Sequence, residues 1–283
     1  MKETILVFAL FVCAFSLKAQ HNTLLYEISG NGLEEPSYLY GTFHLICGTD
    51  FKLDEKVEKV VKNSEQIYLE LDMDDPETMK QMQAQVMMKD NTLRGLIEDE
   101  KEAKVDAFLK EKTGYTLDML NPMKPFVVGS MLYPKMLGCD APAMFEMEFV
   151  KLATQNKQQI FGLETVEEQF EVFEKLGNER QLEMLMEIVE DYDKAVKESQ
   201  KLLATYQQKD VEALYKLMTK EEEKYDGFLD ELLVKRNHNW VAKIPQITKD
   251  ISTFIAVGAG HLGGEEGVIA LLIKEGFEVT PVY

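Results

Sequence analysis

Tyr38-Leu39-Tyr40-Gly41-Thr42-Phe43-His44, joined across a capped helix to Gln66-Ile67-Tyr68-Leu69-Glu70-Leu71, is the stretch that decides the fold. Tyr38 to Phe43 is aromatic and β-branched, so it reads as a strand running into Gly41-Thr42-Phe43-His44. Asp54 is placed to cap a helix whose apolar positions Val57, Val60 and Val61 share one face, and that helix leads to the second strand. This is a β-α-β unit. Upstream, Leu24 to Ile28 completes a hairpin, because Ser29-Gly30-Asn31-Gly32 contains residues that tolerate positive φ.

Working outward, helices are expected over Pro76 to Met88, Asp99 to Lys112, Pro122 to Leu137 and Pro142 to Gln155, before a strand from Gln159 to Glu164. Leu182, Leu185, Val189, Tyr192 and Val196 then recur at spacings of three and four, an amphipathic helical pattern. Helices continue from Asp210 to Ile244. A strand from Ser252 to Val257, a helix from Glu265 to Lys274 and a strand from Glu278 to Val282 close the chain. The alternation implies an α/β fold: a mixed central β-sheet flanked by helices, with a large helical insertion over about residues 76–155 and 165–246.

The chain has 283 residues, with 50 acidic and 31 basic side chains and a net charge of −19. That excess of negative charge excludes a nucleic-acid binder, which needs basic surface to neutralise phosphates. Twelve acids face four bases between Glu164 and Gln200. A solvated helix face accounts for them; a docking surface for a cationic partner is the alternative. The start of the chain reads as an export signal: Lys2, an apolar run from Ile5 to Phe15, and a small-residue exit with cleavage expected after Ala19. Residues 1–19 are therefore expected to be removed, leaving 20–283 as a periplasmic or secreted protein. The apolar run is too short to span a bilayer, which takes roughly 20 residues, and no other segment could do so.

Export changes the meaning of the cysteines. Cys13 leaves with the signal, so Cys47 and Cys139 remain as an even pair in an oxidising compartment, where a bridge is favoured over two buried thiols.

One short pattern occurs twice at a strand's carboxyl end. It reads Gly41-Thr42-Phe43-His44 and Gly258-Ala259-Gly260-His261, and two other strands run into carboxylates, Glu70 and Glu164. Strand ends in an open α/β sheet share one edge, where ligand crevices form. Two imidazoles and two carboxylates meeting there could hold a divalent metal, with one carboxylate free to act on bound water. Manganese, cobalt and zinc are not separable by these donors. Gly258-Ala259-Gly260-His261-Leu262-Gly263 also matches a dinucleotide fingerprint, but too little chain follows it for a Rossmann half. His21 and His238 have no patterned partner and stay outside the site.

These residues resemble the TraB/GumN family, which includes the Tiki proteases. The resemblance is carried by Leu39-Tyr40-Gly41-Thr42-Phe43-His44, Leu69-Glu70-Leu71-Asp72, Gly162-Leu163-Glu164-Thr165, Arg236-Asn237-His238-Asn239-Trp240 and Val257-Gly258-Ala259-Gly260-His261-Leu262. It covers nearly the whole of residues 20–283. It implies a fold related to the erythromycin-esterase and ChaN-like group and, for Tiki-like members, metal-dependent peptide-bond hydrolysis. On that reading His44 and His261 are metal ligands, Glu70 or Glu164 completes the sphere, and the other glutamate activates water. Arg236 would stabilise negative charge or orient a carboxylate, and Trp240 packs its helix. The expected partner is a peptide or protein substrate. A binding protein for a basic peptide and a small-molecule esterase are the alternatives, and the oligomeric state is left open.

Overall fold

A computed structural model describes residues 22–220 and 227–283; the expected export segment and His21 lie outside the described residues. β1 (Leu25–Gly30) and β2 (Ser37–Thr42) form the expected antiparallel hairpin. Its turn holds Gly30, Asn31 and Gly32 at φ of 75°, 48° and 82°, the left-handed region those residues tolerate best. β3 (Ile46–Cys47) follows at once, then helix Glu55–Asn63, in which Val57 and Val61 are buried and the Asp54 carboxylate accepts from the Lys56 N–H. β4 (Gln66–Leu69) alternates half-buried Gln66 and Tyr68 with buried Ile67 and Leu69. β5 (Pro142–Ala143), β6 (Gln159–Gly162), β7 (Thr253–Gly258) and β8 (Phe277–Pro281) complete the strands.

Six strands make one mixed sheet in the order β6-β4-β7-β2-β1-β8. β6, β4, β7 and β2 are mutually parallel, while β1 runs antiparallel to both β2 and β8. The β-α-β reading holds, with β7 inserted between the two strands it joins. Every residue of β7 is buried, as a central strand covered on both faces requires. Register brings the carboxyl ends level: Thr42 pairs with Gly258, and Leu69 with Gly162. The segments that follow those four strands therefore emerge along one edge.

β3 and β5 form a separate two-stranded ladder, pairing Ile46 with Ala143 and Cys47 with Pro142. Beside it Cys47 and Cys139 are joined by a disulfide, with Cα atoms 5.0 Å apart. The helix expected from Pro142 consequently begins later, as Phe145–Asn156.

The helical insertion has its own apolar cluster, in which Leu93, Leu109, Leu117, Leu132, Leu185 and Val189 are buried away from the sheet. Helix Val166–Glu190 starts at a capping box between Thr165 and Glu168 and breaks at Gly177, where φ is 76° and ψ 156°. The periodic run through Leu182 to Val196 is two helices: Asp191 ends the first and caps Tyr192–Gln207 by accepting from the Lys194 N–H. The last expected helix is shorter at its start, Val268–Lys274. Among the described residues, no helix is long and apolar enough to cross a membrane.

Candidate functional site

The loops after the four parallel strands bring together all five expected residues: His44 after β2, Glu70 after β4, Glu164 after β6, His261 after β7, and Arg236 from helix Arg236–Thr248. A π-helical segment, Asp230–Lys235, leads into Arg236, whose Nη1 donates to the Leu232 carbonyl at 3.1 Å. Segments of this kind recur at functional positions because they realign the side chains that follow.

Arg236 is the hub. Its Nη2 donates at 2.6 Å to Glu70 Oε2 and at 2.6 Å to Glu164 Oε1, and its Nε lies 3.1 Å and 3.2 Å from the two Glu164 oxygens. The side chains of Arg236, Glu70 and Glu164 are 7%, 8% and 4% exposed. Two further donors complete the carboxylate shells: Gln169 Nε2 reaches Glu70 Oε2 and Glu164 Oε1, and Trp240 Nε1 donates to Glu164 Oε2 at 3.1 Å. Trp240 is fully buried and packs its helix as expected, with the Arg236 guanidinium 4.7 Å from its ring centre and the His261 ring 4.5 Å away.

The hydrogen bonds also fix the state of His261. Asn237 Nδ2 donates to the Glu266 carbonyl, which turns Asn237 Oδ1 toward His261 Nδ1 at 2.7 Å. Nδ1 therefore carries the proton, and the Nε2 lone pair faces Arg236 Nη1 at 3.1 Å. Burial, then the adjacent guanidinium, lower the His261 pKa to about 3, so the ring is neutral.

His44 stands at the mouth, its side chain 58% exposed. Its Nδ1 lies 2.8 Å from Glu146 Oε1, which also accepts from Thr42 Oγ1 at 3.0 Å. Its Nε2 lies 3.7 Å from Glu70 Oε1. Desolvation works against protonation of His44, but Glu70 and then Glu146 outweigh it and raise the pKa to about 9. Burial pushes Glu70 up as well; the charges of Arg236 and His44 and the Gly258 N–H, which donates to Oε1 at 2.8 Å, prevail and hold it well below the usual carboxylate range. In Glu164 burial wins over the hydrogen bonds from Arg236, and the pKa is raised. The two carboxylates are thus driven apart.

Gly258 marks the centre of this arrangement. A Cβ there would lie 3.1 Å from His44 Nε2, 3.4 Å from Glu70 Oε1 and 3.5 Å from His261 Cδ2. The space a methyl would fill is ringed by two imidazoles and a carboxylate, donor types suited to a divalent ion. His44 and Glu70 fit such a group in chemistry, and His261, which turns Cδ2 toward the space, fits only with its Nε2 released from Arg236 Nη1. Glu164 does not, since both its oxygens are taken by Arg236, Gln169 and Trp240. Among the described residues, no three His, Cys, Asp or Glu side chains stand together as a ready ion cage, and the guanidinium occupies the ground between the carboxylates.

Reading the sequence missed Glu146, Gln169 and Asn237. Glu146 carried a usable signal, because it shares a helix face with the buried Phe149 and Ala153. Asn237 adjoins Arg236 and could have been taken with it; nothing marked Gln169. His238, set aside, pairs at the surface with Glu266 at 2.7 Å.

Comparison with known proteins gives one result. No curated protein and no solved structure matches the chain significantly. The profile of the TraB/PrgY/gumN family matches residues 24–281, which takes in both G-x-x-H segments, both strand-end glutamates and Arg236. The chain belongs to the TraB/PrgY/gumN family.

Proposed function

We propose that this protein is an exported, metal-dependent hydrolase that cleaves peptide bonds. The observation that supports this reading is the ring of His44 Nε2, Glu70 Oε1 and the His261 imidazole around Gly258, at the carboxyl edge of the sheet. His44 and Glu70 would hold a divalent ion, manganese, cobalt or zinc, and His261 would join them once its Nε2 is released from Arg236 Nη1. Such an ion supplies Lewis acidity and a water acidic enough to act near neutral pH.

The rest of the work falls to the chain's own groups. His44 must give up its Nε2 proton to serve as a ligand, while Nδ1–H stays on Glu146. Glu70 remains ionised and accepts the Gly258 N–H through the oxygen that faces His44. Glu164 anchors Arg236, whose Nη1, beside His261, presents positive charge to an oxyanion developing over the cradle. A cleft of about 540 Å³ alongside, lined by Tyr68, Asp72, Glu164, Thr165 and Lys243 among others, offers room for an extended substrate.

The test is elemental analysis of the mature protein and of its His44→Ala and His261→Ala variants, with turnover of a peptide library before and after chelation. The expected result is one stoichiometric ion in wild type, lost in both variants together with chelator-sensitive cleavage. A wild type without ion, matched by both variants in every assay, overturns the reading. N-terminal sequencing of the exported chain, expected to begin at Gln20, tests export separately.

A further inference from the structure

Glu146 is buried in the first turn of helix Phe145–Asn156, and the sequence pattern behind the site does not include it. Its Oε1 takes both His44 Nδ1 and Thr42 Oγ1. Its Oε2 is buried and, among the described residues, has no hydrogen-bond partner. Leaving a carboxylate oxygen in that condition costs stability, and such costs concentrate at positions kept for function.

The surroundings hold this contact from both sides. Two residues after His44 the chain enters β3, and three residues before Glu146 it leaves β5; those strands pair with each other. The Gly48 N–H donates to the Ala141 carbonyl at 2.8 Å, and the Cys47–Cys139 disulfide ties the same two segments. Phe145 packs against Phe51 at 4.8 Å and Tyr206 at 6.1 Å, and the Tyr206 hydroxyl donates to the Gly41 carbonyl just upstream of His44. A ladder, a covalent bond and an aromatic cluster therefore converge on one side-chain pair.

We propose that Glu146 is a positioning residue for His44: it keeps the proton on Nδ1 and turns Nε2 toward Glu70 and the Gly258 cradle, with the disulfide-tied ladder holding the pair in register. An outer carboxylate of this kind sets the tautomer and orientation of an imidazole ligand. The proposal deepens the hydrolase reading and rests on it for its kinetic consequence, though not for its geometry.

Two measurements on the intact, oxidised chain test it. In ¹⁵N-histidine-labelled protein, the Nδ1–H signal of His44, assigned by its loss in H44A, is expected to be strongly downfield in wild type and absent in E146A. On whatever peptide wild type cleaves, E146A is expected to lower kcat by about 10- to 100-fold with little change in KM, and to have no further effect in an H44A background. A wild-type signal retained in E146A, or an E146A effect that adds in full to that of H44A, overturns the proposal. If E146A does not fold, E146Q preserves the volume and replaces an ionised acceptor by a neutral amide, so the signal moves upfield; an unmoved signal overturns the proposal equally. Should wild type cleave nothing, the hydrolase reading fails while the spectra still decide the role of Glu146.

Discussion

Replacing Arg236 by Gln removes the cation that bridges two carboxylates whose side chains are 8% and 4% exposed. Breaking a buried pair from one side costs about 3–5 kcal/mol, because the charge left behind has lost both water and partner. That is a large share of the roughly 5–15 kcal/mol by which domains are stable. The loss also has a defined pH dependence. In wild type the depressed Glu70 pKa contributes stability that is complete above the unfolded value of about 4.3 and is lost only as pH falls through the lower folded value. In R236Q burial of Glu70 is opposed only by His44 and the Gly258 N–H, so the folded pKa of Glu70 rises from its wild-type value and the cost of the substitution grows as pH rises through that range. The gap between the two proteins is therefore widest near pH 8 and narrows toward pH 4, where the variant can protonate its carboxylates. Urea unfolding from pH 4 to 8, followed by far-UV circular dichroism and by the single Trp240, measures it. The E164Q/R236Q double variant is expected to fall well short of the summed losses of the singles, since each removes part of the same pair. A variant within about 1 kcal/mol of wild type at pH 7.5, or a gap that stays constant with pH, would refute the claim that Arg236 neutralises these groups.

Gly258→Ala tests the cradle: at φ −53° the backbone accepts a side chain, but the methyl meets His44, Glu70 and His261 at 3.1–3.5 Å. The variant is expected to fold, at a cost of about 1–3 kcal/mol, and to lose manganese or zinc binding in calorimetric titration; unchanged affinity would argue that no ion sits there. Removing the disulfide as C47S/C139S opens a crosslink spanning 92 positions and is expected to lower unfolding free energy by about 2–5 kcal/mol; thiol titration of the denatured, unreduced wild type should find neither cysteine free. Asp72 has its pKa raised to about 6, first by burial and then by Asp74 and Asp75. A raised carboxylate destabilises the fold above its pKa and not below the unfolded one, so Asp72→Asn should gain stability at pH 8, held to about 1 kcal/mol by solvent screening of a part-exposed group, and nothing at pH 4, read from paired urea melts; equal gains at both would exclude a charge effect.

The sheet was legible because its signals are local. Alternation of Ile67 and Leu69 with Gln66 and Tyr68, and the unbroken apolar run of β7, are properties of a few neighbouring residues. The division of the long acidic helical region at Asp191 was hidden for a physical reason. Both helices turn apolar faces to the same cluster, so Leu185, Val189, Tyr192 and Val196 keep helical spacing across the break. Periodicity reports which face is buried, and two helices that share a core can carry one continuous phase. The β3–β5 ladder was hidden differently: two residues per strand carry no period at all, and their pairing depends on chain brought from nearly a hundred positions away.

Convergence at the site could be read from sequence because topology alone produces it: once four strands are parallel and in register, whatever follows them shares an edge. What each donor would face could not be read, because donor type does not say which lone pairs are still free. Glu164 and Glu70 look equivalent as strand-end carboxylates, yet Glu164 spends both oxygens on Arg236, Gln169 and Trp240, while Glu70 keeps one turned toward His44 at 3.7 Å. His44 and His261 likewise share a motif but not a state. One is neutral, its lone pair against a guanidinium; the other is proton-loaded and exposed, its orientation set by Glu146. The two G-x-x-H segments therefore serve different ends of one centre. The His261 side is neutral and buried against Arg236, whereas His44 Nε2 and Glu70 Oε1 face each other at 3.7 Å above Gly258.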